Sequence, residues 1–394
     1  MKILPLMVAL VALSTACCDC VEPKSEGLIV QENDYWTFVS MPDFLNVDTD
    51  YPQSGWEESL NYILSSINKE DPDFLLVPGD LLMGHWDGLE GNDSVNIHRY
   101  AKKYYSAWKN RLNAHGLPYY TAVGDHDIGD NPWDTEDKFN AVRHYKTAFR
   151  ENMQMPDNGP EHMKGTAFWW KYRNVLFISL DVFEEGEGEQ GRILPGVTGE
   201  QLSWLKNVLD KNRDVNHTIV MGHVPVLGPV RLWSSSGLML NGGAESLLWK
   251  TLSEYQVDAY LCGEVHAVTC TDRKGVLQIA HGGLVGYNTM TSYLVVHVTE
   301  ERLYLEIKEI PLKPYGEHLW QTKDNRPLEN LSIDYERFKG GTKILGQAIL
   351  DKSQGRNLNT RWGYFEERFA TSNDRGVSVF RNDGNQNLTI ACPN

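Results

Sequence analysis

The sequence has few positive charges for its 394 residues: 37 Lys and Arg residues stand against 53 Asp and Glu residues, and the formal net charge is −16. This balance excludes nucleic-acid binding through bulk charge, because phosphate backbones are bound by surfaces rich in Lys and Arg. Internal repeats and low-complexity tracts are also lacking. The rest of the composition, 41% hydrophobic and 23% charged, is typical of a globular protein with a large core and disfavours collagen-like, coiled-coil and disordered classes.

Long hydrophobic runs are scarce as well, and the one near the start has the features of an export signal. Met-Lys precedes an apolar stretch over residues 3–13, which is too short to span a bilayer, and Ala16 marks a small-residue cleavage site. Removal of residues 1–16 would leave Cys17 first, as in a bacterial lipoprotein, although Ser14 stands where a lipobox usually has Leu. The sequence therefore predicts an exported protein, either periplasmic, an outer-membrane lipoprotein with a lipid anchor at Cys17, or secreted, with residues 17–33 as a tether.

Cysteine is rare outside this region. Of the six cysteines, Cys262 and Cys270 flank a polar motif described below. In an oxidising compartment they could form a disulfide across the motif, whereas two buried free thiols are the plainer interpretation.

From Tyr35 onward, short β-rich runs alternate with helical patterns, which is typical of α/β layering. Apolar runs at residues 38–40, 74–77, 119–123, 175–180, 218–221 and 259–261 predict strands, and residues 275–310 predict antiparallel strands. After Pro311 the sequence becomes turn-rich, with one weak helical pattern around residues 334–351. We therefore predict a main domain over residues 34–312 and a C-terminal extension over residues 313–394 that is packed on it.

Nearly every predicted strand ends in Gly, Asp or His. In open α/β sheets the carboxyl ends of strands form the ligand crevice, so these side chains are expected to converge. Mixed carboxylates and imidazoles suit divalent ions such as Mn, Fe, Zn or Ca better than thiolate-loving ions. The strand-end residues are Asp43, Asp80, Asp125, His126, Asp127, His223, Glu264 and His266.

The order of these elements resembles the calcineurin-like metallophosphoesterase family, whose pattern is D-x-H, G-D, G-N-H-[DE], a strand-terminal His and G-H-x-H. The resemblance extends from Asp43 to His266. It implies an α/β fold with a central β-sandwich of mixed sheets flanked by helices in αββα order. It also implies one or two divalent metal ions.

Three residues depart from the family pattern: Leu45 replaces the His of D-x-H, Asp125 the Asn of G-N-H-[DE], and Glu264 the first His of G-H-x-H. By the resemblance, one metal site has fewer ligands than usual and the other is unusually anionic, so one ion or two could bind. The first site would use Asp43, Asp80 and His266; the second would use Asp80, Asp125, His223 and Glu264.

The resemblance implies hydrolysis of phosphate mono- or diesters by attack of a metal-bound hydroxide, with His126 as the proton donor and Asp127 orienting its ring. The expected substrate is a small-molecule or saccharide-linked phosphate ester. His85, Arg231 and His281 are candidate substrate contacts from neighbouring loops. Two alternatives stay open: a divergent scaffold acting on an exported polysaccharide, or a non-catalytic binding protein stabilised by metal.

Overall fold

The computed structural model describes residues 26–30, 32, 34–45, 56–82, 93–228, 230–231, 237–283, 291–310, 312–314, 331–333, 341–366, 379–382 and 386–391. The helices among them are α1 (Trp56–Asn68), α2 (Ser94–Ala114), α3 (Glu136–Met153), α4 (Gly199–Lys211) and α5 (Leu247–Glu254). The strands are β1 (Trp36–Ser40), β2 (Phe74–Val77), β3 (Tyr119–Thr121), β4 (Phe168–Tyr172), β5 (Val175–Ser179), β6 (Phe183–Gly188), β7 (Gly191–Pro195), β8 (His217–Met221), β9 (Val230–Arg231), β10 (Ala259–Cys262), β11 (Thr269–Arg273), β12 (Val276–Ala280), β13 (Ser292–Val298), β14 (Arg302–Glu309), β15 (Leu312–Pro314), β16 (Leu331–Ile333), β17 (Lys343–Asp351), β18 (Asn357–Gly363), β19 (Val379–Asn382) and β20 (Gln386–Ala391).

Two mixed sheets form the centre of the fold. The first has the order β18-β17-β14-β13-β1-β2-β3 and the second the order β11-β12-β10-β8-β5-β4. Aromatic side chains join their inner faces: the rings of Phe38 and Phe177 lie 5.4 Å apart and those of Trp36 and Tyr172 lie 4.9 Å apart. The predicted α/β sandwich is therefore confirmed, and the aromatic residues of β4 serve sheet packing.

The helices bury the faces that the sequence pattern predicts. Leu60, Ile63, Leu64 and Ile67 recur at helical spacing on α1 and are at most 1% exposed. Asp93 caps the N-terminus of helix α2: its carboxylate accepts hydrogen bonds from the amides of residues 95 and 96, both at 3.0 Å. These buried faces hold the helices against the sheets.

Parallel pairing brings the carboxyl ends of several strands to one edge of the sandwich. In the first sheet β1 pairs with β2 and β2 with β3, all parallel. In the second sheet β5, β8, β10 and β12 are neighbours and also parallel. The loops after these strands carry the predicted metal ligands, so the topology places all of them at the same edge.

The region beyond residue 313 differs from expectation. Residues 343–351 form strand β17, not the predicted helix, and pair antiparallel with β14, so β17 and β18 extend the main sheet. The apolar residues of β17 fit the spacing of a helix as well as that of a strand. The open edge of β14 supplies backbone hydrogen-bond partners that only a strand can use. Strand β19 also returns to pair with β9.

Part of the predicted tether is docked on the main sheet. The side-chain amide of Gln347 donates to the carbonyl oxygen of Glu26 at 3.1 Å, and Tyr304 donates its hydroxyl to Glu32 at 2.6 Å. Arg302 also forms an ion pair with Glu32. The predicted signal peptide and Cys17 lie outside the described residues. Within the part of the chain that is described, no helix is both long and apolar enough to cross a membrane.

Cys262 and Cys270 are free, buried thiols and do not form the disulfide that the sequence left open. Burial raises the pKa of both thiols, which keeps them protonated.

Candidate metal centre

The structure brings the six predicted metal ligands together at the carboxyl edge of the sandwich. Among the described residues, the ligand atoms of Asp43, Asp80 and His266 lie within 4.8 Å of one another, and those of Asp80, Asp125 and His223 do so as well. Asp80 belongs to both groups, so its carboxylate would be shared if two ions were bound. The two overlapping groups can hold one or two divalent cations.

The first group has two carboxylates and one imidazole. His266 Nε2 lies 3.9 Å from Asp43 Oδ1. Leu45 stands where the family pattern has a further His, and its side chain is buried in the hydrophobic core. The backbone amide of Leu45 instead donates to the carbonyl oxygen of Asp80 at 3.0 Å. Leu45 therefore supports the loops of this group without adding a ligand to it.

The second group centres on His223, whose Nε2 lies 2.9 Å from Asp125 Oδ1 and 3.5 Å from Asp80 Oδ2. Glu264 extends this group, because its Oε2 lies 3.6 Å from the same nitrogen. All four side chains are at most 3% exposed. Three carboxylates and one imidazole form a strongly anionic set that suits hard divalent ions.

In His223 and Asp43, one polar atom is hydrogen-bonded to the backbone, and the other polar atom faces the centre of the cluster. His223 Nδ1 lies 2.9 Å from the carbonyl oxygen of Pro78, which only accepts, so Nδ1 carries the proton and Nε2 faces the carboxylates. Asp43 Oδ1 accepts from the amide of Glu264 at 3.1 Å. The opposite atom of Asp43, Oδ2, is buried without a hydrogen-bond partner, and Asp125 Oδ1 and His223 Nε2 are buried 2.9 Å from each other. Buried orphan atoms of this kind fit a cation.

Two residues that the sequence reasoning missed hold the remaining carboxylate oxygens. Asn131 donates its side-chain amide to Asp125 Oδ2 at 2.8 Å. The amide of Leu238 donates to Glu264 Oε1 at 3.1 Å. Asn131 lies only six residues after Asp125, which is a signal in the sequence, whereas no local pattern indicates Leu238.

The backbone of the centre is strained. Five non-glycine residues there have positive φ: Asp43, Leu45, Asp80, Glu264 and His266, with values from 50° to 67°. Two glycines are sterically required, since a Cβ on Gly124 would lie 2.0 Å from Asp80 Oδ1 and one on Gly79 would lie 2.6 Å from His223 Nδ1. The local geometry is therefore organised around the ligand atoms.

Burial and mutual repulsion shift the titration of these groups. Burial raises the pKa of Asp43 to about 7 and that of Asp80 well above its usual value, and neighbouring carboxylates add to both shifts. Burial also opposes ionisation of Asp125, but His126 and His223 outweigh it and lower the pKa of that carboxyl. The pKa of His223 is raised despite its burial, because three carboxylates surround it. The metal-free centre therefore retains protons where cations would bind.

His126 lies beside the cluster, and its side chain is 13% exposed, against 9% for His266 and none for His223. Its Nε2 lies 3.9 Å from Asp80 Oδ2, and its Nδ1 lies 3.9 Å from Asp130 Oδ1. Asp125, His126 and Asp130 form a third group whose ligand atoms lie within 4.8 Å. This position allows a proton to be exchanged between the cluster and a molecule in the cleft.

The role predicted for Asp127 requires correction. Asp127 Oδ2 accepts hydrogen bonds from the amides of Asp80 and Gly124, both at 3.0 Å, and Oδ1 accepts from the hydroxyl of Tyr105 at 3.2 Å. The side chain is fully buried, and burial raises its pKa to about 6. Asp127 thus ties together the loops that carry Asp80 and Asp125, while Asp130 is the carboxylate that faces Nδ1 of His126.

Of the three predicted substrate contacts, only His281 has a described side chain. His281 is fully buried, with Nε2 2.9 Å from the hydroxyl of Ser40, and burial lowers its pKa to about 4. This residue belongs to the core and is not placed to contact a substrate. The backbone of Arg231 lies in β9, paired with Phe380, but its side chain and the whole of His85 lie outside the described residues.

Comparisons with known proteins support this reading of the fold and centre. The family model described as calcineurin-like phosphoesterase matches residues 52–268, more than half of the chain. No curated protein matches the chain. Among solved structures, PhoD shares 12% identity and a TM-score of 0.52, with 83% of this chain and 72% of PhoD covered. That score supports a shared fold.

Two further similar structures have lower scores. A dimetal phosphatase from Danio rerio shares 14% identity with a TM-score of 0.45, covering 68% of this chain and 95% of its own. A purple acid phosphatase from seeds of yellow lupin (Lupinus luteus) shares 14% identity with a TM-score of 0.48, covering 71% of this chain and 52% of its own. On the family match, the chain belongs to the calcineurin-like phosphoesterase family and is a metal-dependent hydrolase of phosphate esters.

Proposed function

We propose that this protein is an exported hydrolase of small-molecule or saccharide-linked phosphate mono- or diesters. The observation that carries the proposal is the pair of overlapping buried ligand groups that share Asp80 and lie next to His126. Asp43, Asp80, Asp125, His223, Glu264 and His266 would hold the divalent ions. When bound, the ions supply Lewis acidity toward the phosphoryl oxygens and lower the pKa of water.

His126 supplies the proton-transfer function in this proposal. Its side chain is close enough to the cluster to reach a bound phosphate ester and is open enough to meet the leaving group. A protonated imidazole donates from Nε2 to the leaving oxygen, and Asp130 stabilises the cation from the Nδ1 side. Asp127 does not contact the substrate in this proposal; it positions His126 by fixing the loop on which His126 lies.

Turnover of aryl phosphates tests the proposal directly. Purified protein, with its metal content measured, is assayed on p-nitrophenyl phosphate and on bis(p-nitrophenyl) phosphate with Mn²⁺, Zn²⁺ or Ca²⁺ added. We expect turnover of at least one ester that EDTA abolishes and added metal restores. Metal-loaded protein that hydrolyses neither ester, but releases reducing or unsaturated sugar ends from a polysaccharide, would contradict the proposal and favour the divergent-scaffold alternative.

Export is supported by the apolar stretch over residues 3–13 and the small residues before Cys17. Expression of the full chain in a bacterial host, followed by fractionation and mass analysis of the mature N-terminus, tests it. We expect processing after residue 16. A mass that includes a diacylglyceryl group on Cys17 identifies the lipoprotein form, whereas an intact N-terminus in the cytoplasm contradicts export.

A further inference from the structure

A second cavity lies apart from the metal centre. It has a volume of about 680 Å³ and is lined by residues of α3, of the β6 and β7 hairpin and of the first turn of α4. None of the six metal ligands or His126 lines it. Phe183 stands between the two sites: it lines the cavity, and its ring lies 6.3 Å from that of His223. The volume is in the range of cavities that accept small organic molecules.

Two guanidinium groups line this cavity without a carboxylate partner in the described part of the chain. Arg143 and Arg150 lie two turns apart on α3, on the face that also carries Lys146. Arg150 is half-buried, and a hydrogen bond joins its guanidinium group to the Thr147 hydroxyl at 3.3 Å. Arg143 is exposed, so solvent screens its charge as it does that of Glu185. The other donors of both guanidinium groups are available for a ligand, and guanidinium groups favour paired acidic oxygens.

The acidic residues of the lining are mostly engaged with other groups. Asp181, fully buried, lies 2.8 Å from Lys146 Nζ, so these two charges offset each other. Glu184 accepts from the amide and the hydroxyl of Thr198 at 2.6 and 2.9 Å. Glu200 lies 3.1 Å from His162 Nδ1. Glu185 is exposed, where solvent screens its charge.

Apolar side chains complete the lining, notably Phe139, Val142, Met163 and Ile193. The cavity therefore combines an apolar surface with two cationic groups that have no carboxylate partner among the described residues. We propose that it binds an organic anion, in which a carboxylate, sulfonate or phosphate group meets Arg143 and Arg150 and an apolar body fills the remaining volume. This site is separate from the phosphoesterase centre and does not depend on the reaction proposed there.

A fluorescent sulfonate tests the site in the full-length, metal-loaded protein. The probe is 8-anilinonaphthalene-1-sulfonate, which carries one anionic group on an aromatic body. We expect saturable 1:1 binding that benzenesulfonate displaces. Combined Arg143→Gln and Arg150→Gln substitutions should weaken binding at least about tenfold, because the charge-assisted hydrogen bonds are lost. The Arg150→Lys variant should retain part of the affinity because it keeps the charge.

Control measurements separate this site from the metal centre. Arg213→Gln removes an exposed guanidinium group that pairs with Asp210 at 2.7 Å outside the cavity, and it should leave probe binding unchanged. The double variant should keep the aryl phosphate turnover of the wild type, if the wild type has any. The proposal is overturned if the wild type shows no saturable binding or if the double variant binds the probe as tightly as the wild type.

Discussion

At the scale of single residues, hydrogen-bond donors fix one oxygen of Asp125 and one oxygen of Glu264, and this orients both carboxylates in the centre. Asp125 and Glu264 replace neutral residues of the family pattern, and each brings an additional negative oxygen. Asn131 and the amide of Leu238 donate to those oxygens, leaving the other oxygen of each carboxylate directed toward His223. Partners of this kind orient ligands and adjust their basicity. The substitutions are therefore accompanied by compensating donors.

Replacing His126 by Ala should lower kcat for aryl phosphates by about 100-fold or more, because a positioned proton donor contributes about 10² to 10⁴ in rate. Metal content, measured in parallel by elemental analysis, should not change if His126 acts on the leaving group and is not a ligand. His115→Ala is the matched control, since the half-buried His115 contacts Asn61 at 3.2 Å and belongs to none of the ligand groups. Unchanged kcat in His126→Ala would show that His126 is not the proton donor.

Replacing Asn131 by Ala should weaken metal binding by about 10- to 100-fold, the usual effect of losing a group that orients a ligand. The reason is that Asp125 Oδ2 loses its donor and the carboxylate can rotate away from His223. Calorimetric titration of EDTA-treated, dialysed protein with Mn²⁺ measures the change. The Asn140→Ala variant, which removes an exposed hydrogen bond to Glu136 at 2.9 Å, should bind Mn²⁺ like the wild type. Equal affinities in the two variants would show that Asn131 does not orient Asp125.

At the scale of elements, strands β17 and β18 complete the main sheet, and an ion pair between a partly exposed lysine and a buried aspartate links their turn to the second sheet. Lys352 Nζ lies 3.0 Å from both oxygens of Asp258, which is 1% exposed. Asp258 also accepts from the amide of Thr218 at 2.8 Å. The turn after β17 is therefore fixed to the start of β8 by a carboxylate that water cannot reach.

Replacing Lys352 by Ala should lower the free energy of unfolding by about 3 kcal/mol, because it leaves the carboxylate of Asp258 buried without its cation. Urea titration followed by tryptophan fluorescence measures the loss. Lys171→Ala breaks an exposed pair with Asp214 at 3.0 Å and should cost less than about 1 kcal/mol. If both variants lose the same stability, the pair of Lys352 and Asp258 does not hold the C-terminal strands in place.

At the scale of the whole molecule, the net charge of −16 acquires a local explanation. Four of the negative charges, from Asp43, Asp80, Asp125 and Glu264, converge at one buried edge where cations can neutralise them. A loaded centre can then attract an anionic substrate to an acidic protein. The acidity that argues against nucleic-acid binding through bulk charge is thus compatible with phosphate chemistry.

The same convergence predicts how stability depends on pH. Burial raises the pKa of Asp43 to about 7 and of Asp127 to about 6, above the value of about 4 in unfolded chains. Between these values the folded chain binds more protons than the unfolded chain, so the free energy of unfolding of metal-free protein falls from pH 4 to pH 7. His223, with its raised pKa, contributes in the same direction above pH 6.5.

Divalent ions should offset this loss increasingly as pH rises, because they bind the deprotonated ligands. Thermal midpoints of EDTA-treated and Mn²⁺-loaded protein at pH 5, 6, 7 and 8 measure the difference, and we expect it to grow with pH. The pair of Arg302 and Asp351 does not contribute in this window, since the pKa of Asp351 is lowered to about 2. A difference that stays constant from pH 5 to pH 8 would contradict the prediction.

The sequence by itself determined the α/β layering and the family, and it predicted the six ligands, because strand ends in a parallel sheet converge whatever the details of packing. Only the tertiary structure decided which residues far apart in the sequence contact each other. Whether residues 343–351 form a helix or a strand depends on the free edge of β14, and whether His281 faces substrate or core depends on Ser40. The roles of Asp127 and Leu238 follow from hydrogen bonds across 26 to 47 residues, which no local pattern encodes.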